Sequence, residues 1–315
     1  MIFIGSKQIG LEVLARIYEL YPKQLKGVIT FDDSNDIRTK LDSFKTLSKT
    51  IKKPLYILTK PSELVNVVEK VKPNLGIVCG WYWIIKPNII NKFRRGMLGL
   101  HASLLPKYRG LSPLVWQIIN GEKESGMTLF YFDEDVDSGD IVGQIRFKIK
   151  ENDSIADTLN KANRISIELI DTFLPLIMND THQRQKQDHR KASYCSQRKP
   201  EDGHINWHLS NREIHNFIRA QTYPYPGAFT YFGDKKIIIL KSTILESPYY
   251  GIPGLVTQVK SNKVVITCGQ GSLYIEKVVL ENMTVQKVSD ILEYGVKLSS
   301  IDVSVIARKI RNRKI

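Results

Sequence analysis

Along the first hundred residues, short apolar runs alternate with segments whose apolar residues recur at helical spacing. Met1–Gly5 is strand-sized, and beyond it Leu11, Leu14, Ala15 and Tyr18 share one face of a helix predicted from Leu11 to Tyr21. Leu25–Phe31 predicts a second strand. Leu55–Leu58 follows a basic, helix-compatible stretch, and Pro61–Val71 predicts a helix with Leu64, Val67 and Val68 on one side. Asn74–Cys79 and Met97–His101 predict two further buried strands. This alternation predicts an α/β domain with a parallel sheet covered on both faces. Right-handed crossovers make a Rossmann-like, doubly wound, mostly parallel layer the economical topology.

The texture changes at Met127. Met127–Phe132 and Ile141–Ile149 predict strands flanking a polar loop, and a long helix is predicted from about Ser154 to Met178, opened by the capping pattern Ser154-x-x-Asp157. Asn179 to Lys199 is polar, charged and aperiodic, as expected of an interdomain linker. After a short helix near Glu213–Gln221 come five strand-like runs: Gly227–Phe232, Lys236–Ile244, Gly254–Val259, Val264–Cys268 and Leu273–Val279. They predict a small, β-rich, OB-like domain. The expected division is an N-terminal α/β domain over 1–180, a linker over 181–200 and a C-terminal β-rich domain over 201–315.

Composition narrows the class. With 315 residues, 42% hydrophobic and 25% charged, the chain has room for two domains with real cores, which excludes disordered and low-complexity classes. Apolar stretches such as Ile237–Leu240 are strand-sized, so no membrane association is expected, and no secretory signal is read at Met1. Cys79, Cys195 and Cys268 are too scattered for a disulfide framework or a zinc site; that fits a reducing cytoplasm, with no metal expected. Forty-six basic against 32 acidic residues give a net charge of +14, which attracts polyanions such as nucleic acid, nucleotides or polyglutamylated cofactors. The densest basic run, Ala307 to Lys314, is expected as a solvated end.

Candidate chemistry centres on His101, at the carboxyl end of a predicted strand, where open α/β sheets bind ligands. An imidazole there exchanges protons near neutral pH once a partner fixes its tautomer. Asp137, in the tight Asp-Ser-Gly-Asp turn, is a candidate partner. On the residues alone, a structural histidine and a solvated or weakly calcium-binding acidic loop both stay open.

The string Gly99-Leu100-His101-Ala102-Ser103-Leu104-Leu105-Pro106-Lys107-Tyr108-Arg109-Gly110, followed by Ser125–Thr128 and Val136–Ile141, resembles the signature of the folate-dependent formyltransferases. Arg198–Trp207 and Tyr225–Phe229 resemble parts of that family's C-terminal domain. The resemblance implies N10-formyltetrahydrofolate as co-substrate and attack of an amine on its formyl carbon, with a tetrahedral oxyanion. His101 and Asp137 match two members of the family's Asn–His–Asp triad, the first shuttling the proton and the second holding the imidazole. Gly99 stands where the family has its Asn, a donor to the formyl oxygen. On that account, Asn at position 99 should raise turnover. The expected folate side comprises Trp81, Tyr82, Trp83 and Ile84 with Asp133, Glu134 and Asp135; for the aromatic run, core packing is the other reading. The expected substrate side comprises Ser6, Lys7, Ser103, Lys107 and Arg109.

The acceptor is expected to be the amine of a nucleotide-linked amino sugar. Phe31-Asp32-Asp33-Ser34-Asn35-Asp36 is acidic where the transfer-RNA enzyme of the family carries a basic insertion. The C-terminal half is most similar to the formyltransferase half of the bifunctional enzyme acting on UDP-linked 4-amino-4-deoxy-arabinose. The alternatives are methionyl-tRNA as acceptor, or a folate-binding paralogue weakened at Gly99. A homodimer is compatible with the resemblance.

Overall fold

The computed structural model describes residues 1–233, 235–247, 249–280 and 285–299. The basic run at 307–314 lies outside the described residues. The chain divides into two compact units: one comprises Met1–Leu114, Glu124–Ile149 and Thr158–Gln197, the other Val115–Lys123, Lys150–Asp157 and the chain from Arg198.

The strands of the first unit are β1 (Ile2–Gly5), β2 (Val28–Phe31), β3 (Leu55–Leu58), β4 (Gly76–Cys79), β5 (Met97–His101), β6 (Arg109–Gly110), β7 (Glu124–Tyr131), β8 (Ile141–Lys148) and β9 (Tyr194–Cys195). Seven form one sheet in the order β3-β2-β1-β4-β5-β7-β8. The first five of that order run parallel, and β7 and β8 close the edge antiparallel. β1, β2 and β4 are buried at every position, as strands covered on both faces must be. The helices up to Met178 are α1 (Lys7–Leu20), α2 (Leu41–Thr50), α3 (Leu64–Val71), α4 (Pro87–Ile90), α5 (Pro113–Ile119), most of which belongs to the second unit, and α6 (Ile155–Met178), most of which belongs to the first. α1 begins four residues before the predicted helix and buries Val13, Leu14 and Ile17. α6 starts where its capping signal stands: Ser154 Oγ donates to Asp157 Oδ2 at 2.6 Å.

The stretch expected as a linker behaves otherwise. Residues up to Gln197 belong to the first unit, and β9 pairs parallel with β6 through Arg109↔Tyr194 and Gly110↔Cys195. Gly110 sits at φ +97, and a Cβ there would meet the Cys195 carbonyl oxygen at 2.5 Å, so the pairing requires glycine.

The second unit adds α7 (Asn211–Arg219) and β10 (Ala228–Phe232), β11 (Lys235–Leu245), β12 (Val256–Lys260), β13 (Lys263–Thr267), β14 (Ser272–Leu280) and β15 (Val285–Gln286). Among the described residues these strands make an antiparallel sheet in the order β10-β11-β14-β13-β12, with β15 on β14. Its core gathers Trp207, Ile214, Ile218, Ile237, Val264 and Ile275. Ser210 caps α7 reciprocally: its Oγ accepts from the Glu213 N–H while Glu213 Oε2 accepts from the Ser210 N–H at 2.9 Å. Ser210→Ala is expected to lower stability by about 1 kcal/mol, read as a lower urea midpoint at unchanged slope.

Candidate active site

β5 delivers His101 to the carboxyl end of the sheet with only 8% of the residue exposed. Its Nε2 lies 2.7 Å from the Tyr108 carbonyl oxygen. A carbonyl only accepts, so Nε2 carries the hydrogen and, in the neutral ring, Nδ1 keeps its lone pair. That Nδ1 is 3.4 Å from Asp137 Oδ2. The imidazole is thus anchored on one nitrogen and faces a carboxylate with the other.

The loop that presents Tyr108 is fastened from beneath. Ser103 Oγ donates to Lys107 O at 2.6 Å, Thr128 Oγ1 donates to Ser103 O at 2.6 Å, and Gln144 Nε2 donates to Leu105 O at 2.9 Å. Asp137 has a left-handed backbone, φ +50, and its Oδ2 also accepts the Gly110 N–H at 2.8 Å. The two groups singled out in the sequence therefore converge, through backbone contacts of one loop. Burial, and then the Asp137 charge, push the thiol of neighbouring Cys195 up to about 11.

Gly99 is filled rather than vacant. A Cβ on it would lie 2.5 Å from Phe132 Cε2 and 2.7 Å from Phe130 Cε1. Phe130 and Phe132 stack at 5.5 Å between centroids, and Phe130 meets the His101 ring edge-on at 6.4 Å. An apolar wall occupies the volume where an Asn side chain would stand.

Several expected ligand-facing residues are engaged inside the fold instead. Lys7 is buried at the start of α1, and its ammonium pairs with Asp33 and, at 2.8 Å, with Asp36. Burial alone would push the Asp36 carboxyl up, but Arg38 and Lys7 hold it well below the usual carboxylate range. Arg109 is 1% exposed; its guanidinium donates to Gln187 Oε1, Tyr194 OH and His189 Nδ1. Ser6 Oγ donates to Gly80 O at 2.5 Å, and Ser103 serves the loop described above. These four of the residues expected on the substrate side are held by protein partners. Lys107 alone of that set is exposed.

On the other side, Trp81 and Trp83 pack with Phe31, at 5.1 Å edge-on and 4.8 Å stacked, against the first unit's core. Tyr82 and Ile84 project outward, 40% and 80% exposed. Trp81 Nε1 is buried with no hydrogen-bond partner. Asp133, Glu134 and Asp135 are exposed on the loop between β7 and β8. The residues that sequence reasoning missed are the Tyr108 carbonyl, Phe130, Phe132 and Gln187. Only the two phenylalanines carry a signal, their alternation at and just beyond the end of the strand that pairs with Gly99.

Residues 15–170 match the family described as formyl transferase, and residues 198–294 match the formyl transferase C-terminal domain. The chain is 34% identical to the bifunctional polymyxin resistance protein ArnA of Wigglesworthia glossinidia brevipalpis, an alignment covering 92% of this chain and 45% of that protein. This chain thus spans less than half the length of that relative. It is 30% identical to the methionyl-tRNA formyltransferase of Acetivibrio thermocellus over 91% of this chain and 94% of that one. Among solved structures, WlaRD, described as a sugar 3N-formyl transferase in the presence of dTDP and 5-N-formyl-THF, matches with a TM-score of 0.67 at 24% identity, covering 90% of this chain and 98% of its own. An N-formyltransferase from Helicobacter canadensis, in complex with folinic acid and dTDP-3-aminofucose, matches with a TM-score of 0.67 at 24% identity over 87% of this chain and 98% of its own. At that identity the structural likeness is one of fold.

Proposed function

Because this chain belongs to the formyl transferase family, we propose that it moves the formyl group of N10-formyltetrahydrofolate to the amine of a nucleotide-linked amino sugar, with His101 and Asp137 as the reacting pair. The observation that carries the reading is their approach, 3.4 Å between Nδ1 and Oδ2 at the carboxyl end of β5. N10-formyltetrahydrofolate, when bound, supplies the formyl carbon and a leaving nitrogen. In the balanced transfer the amine nitrogen–carbon bond forms, the N10–carbon bond breaks, and one proton passes from the amine to N10. His101 takes and returns that proton at Nδ1, since Nε2 is held by Tyr108 O. Asp137 stabilises the ring while it carries the charge, and the Gly110 N–H keeps the carboxylate aimed.

The folate side is assigned to the aromatic surface of Trp81, Tyr82 and Trp83, with Ile84 at the rim and Asp133, Glu134 and Asp135 on the neighbouring loop. Flat apolar rings with one unused buried N–H, that of Trp81, suit a heterocycle bearing acceptor atoms. On the acceptor side, exposed Lys107 is the cation assigned to a phosphate. The acidic loop after β2 supports a sugar nucleotide over transfer RNA, because Asp33 and Asp36 occupy the nearby Lys7.

The test is incubation with N10-formyltetrahydrofolate and either UDP- or dTDP-linked amino sugars or charged initiator tRNA, with products read by mass spectrometry. A formylated sugar nucleotide is expected. Formylated methionyl-tRNA without formylated sugar would overturn the choice of acceptor. Folate binding with no product from any acceptor would make the chain a binding protein.

A further inference from the structure

We propose that Gln187 is a positioning residue for the His101–Asp137 pair, an inference that rests on the formyl-transfer reading of that pair. Gln187 lies in the stretch whose composition suggested a linker, yet it is buried. Its side-chain amide is used completely. Nε2 donates to Asp137 O at 2.8 Å and to Gly139 O at 2.7 Å, while Oε1 accepts from Arg109 Nε at 3.2 Å and Nη2 at 2.7 Å. Two donors and two lone pairs are all a glutamine amide has.

These contacts close a ring. Arg109 adjoins Gly110, whose N–H holds the Asp137 carboxylate, and Gln187 holds the main chain on both sides of the same turn. Asp137 needs such holding, because its φ of +50 is a conformation that residues with a Cβ adopt at a cost. The same segment reaches the imidazole's other partner: Tyr108 N–H donates to Ser193 Oγ at 2.9 Å and Arg109 N–H to Ser193 O at 2.8 Å. One strap, residues 187–195, therefore reaches both contacts of His101. A purely structural role would need only an acceptor for Arg109. The two N–H bonds go further: they hold the main chain of the turn from which the Asp137 carboxylate reaches the Gly110 N–H.

Gln187→Glu separates these roles. It still accepts from Arg109 but loses both donors and sets a carboxylate against two carbonyls; Gln187→Met removes donors and acceptors together. With thermal unfolding confirming that both variants fold, Gln187→Glu is expected to lower kcat about 10- to 100-fold with KM for the formyl donor little changed, the scale of a misplaced reacting group. In parallel, nitrogen NMR of the His101 ring in the unliganded protein is expected to show Nδ1 shifted relative to wild type. Retention of wild-type kcat, or a kcat loss with His101 signals unmoved, would overturn the positioning role. If wild-type protein transfers no formyl group, the functional reading fails on its own, and the ring NMR alone decides whether Gln187 sets the pair.

Discussion

His101→Ala is expected to lower formyl transfer by about 10²- to 10⁴-fold while leaving folate binding close to wild type, the range for losing a positioned proton carrier. Asp137→Asn should approach the same loss by a subtler route. The asparagine oxygen can still take the Gly110 N–H, which preserves the turn. Its NH₂ would then point at Nδ1 and donate to that lone pair, occupying it and stabilising the neutral ring against protonation there. A carboxylate does the reverse, favouring the ring once protonated. Because the two groups act as one unit, His101→Ala combined with Asp137→Asn should be little worse than His101→Ala alone. Single-turnover rates with saturating formyl donor make the comparison. Losses that multiply in the double variant would mean that the 3.4 Å approach has no catalytic content.

How much of this was legible in the chain depends on whether a feature leaves a periodic trace. β5 is found at Met97–His101, where its apolar run ends, and the five strands predicted in the second unit fall within one or two residues of their patterns, whereas two-residue β15 had none. Repeating burial writes a repeating pattern. The strap leaves none. It is fastened by a two-residue ladder, single side chains and backbone groups, so Gln187 looks like any polar residue between Lys186 and Asp188. The same holds for Tyr108, which meets the His101 ring through its carbonyl, a group every residue has. Lys7 and Arg109 leave a signal of another kind: a cation in a loop near a strand end suggests a phosphate ligand, while the partners each has within the fold lie far off in sequence.

Gly99 is where sequence and structure lead to opposite predictions, and the second large effect follows from it. Read from sequence, Gly99→Asn restores a hydrogen-bond donor worth about 2.7–4 kcal/mol, or about 10²- to 10³-fold in rate. In the structure, Gly99 pairs with Phe130 across β5 and β7, and side chains at positions 99 and 101 share one face. A new Cβ would press on Phe132 and Phe130, and Phe130 in turn borders His101. Overpacking of this kind costs about 1–3 kcal/mol, and the ring displaced is the one against the imidazole. Gly99→Asn alone is therefore expected to reduce both thermal stability and turnover. Phe132→Ala removes the nearer ring, which is only partly buried, and opens the space on which Phe130 stacks, so that Phe130, still 2.7 Å from the new Cβ, can move aside. In that background the same Gly99→Asn substitution should raise turnover by up to the full donor effect. The signature is a change of sign across the double-mutant cycle, which simple additivity cannot produce. A rise in turnover from Gly99→Asn in the wild-type background would show that the phenylalanine wall yields, and that the amide was missing rather than excluded.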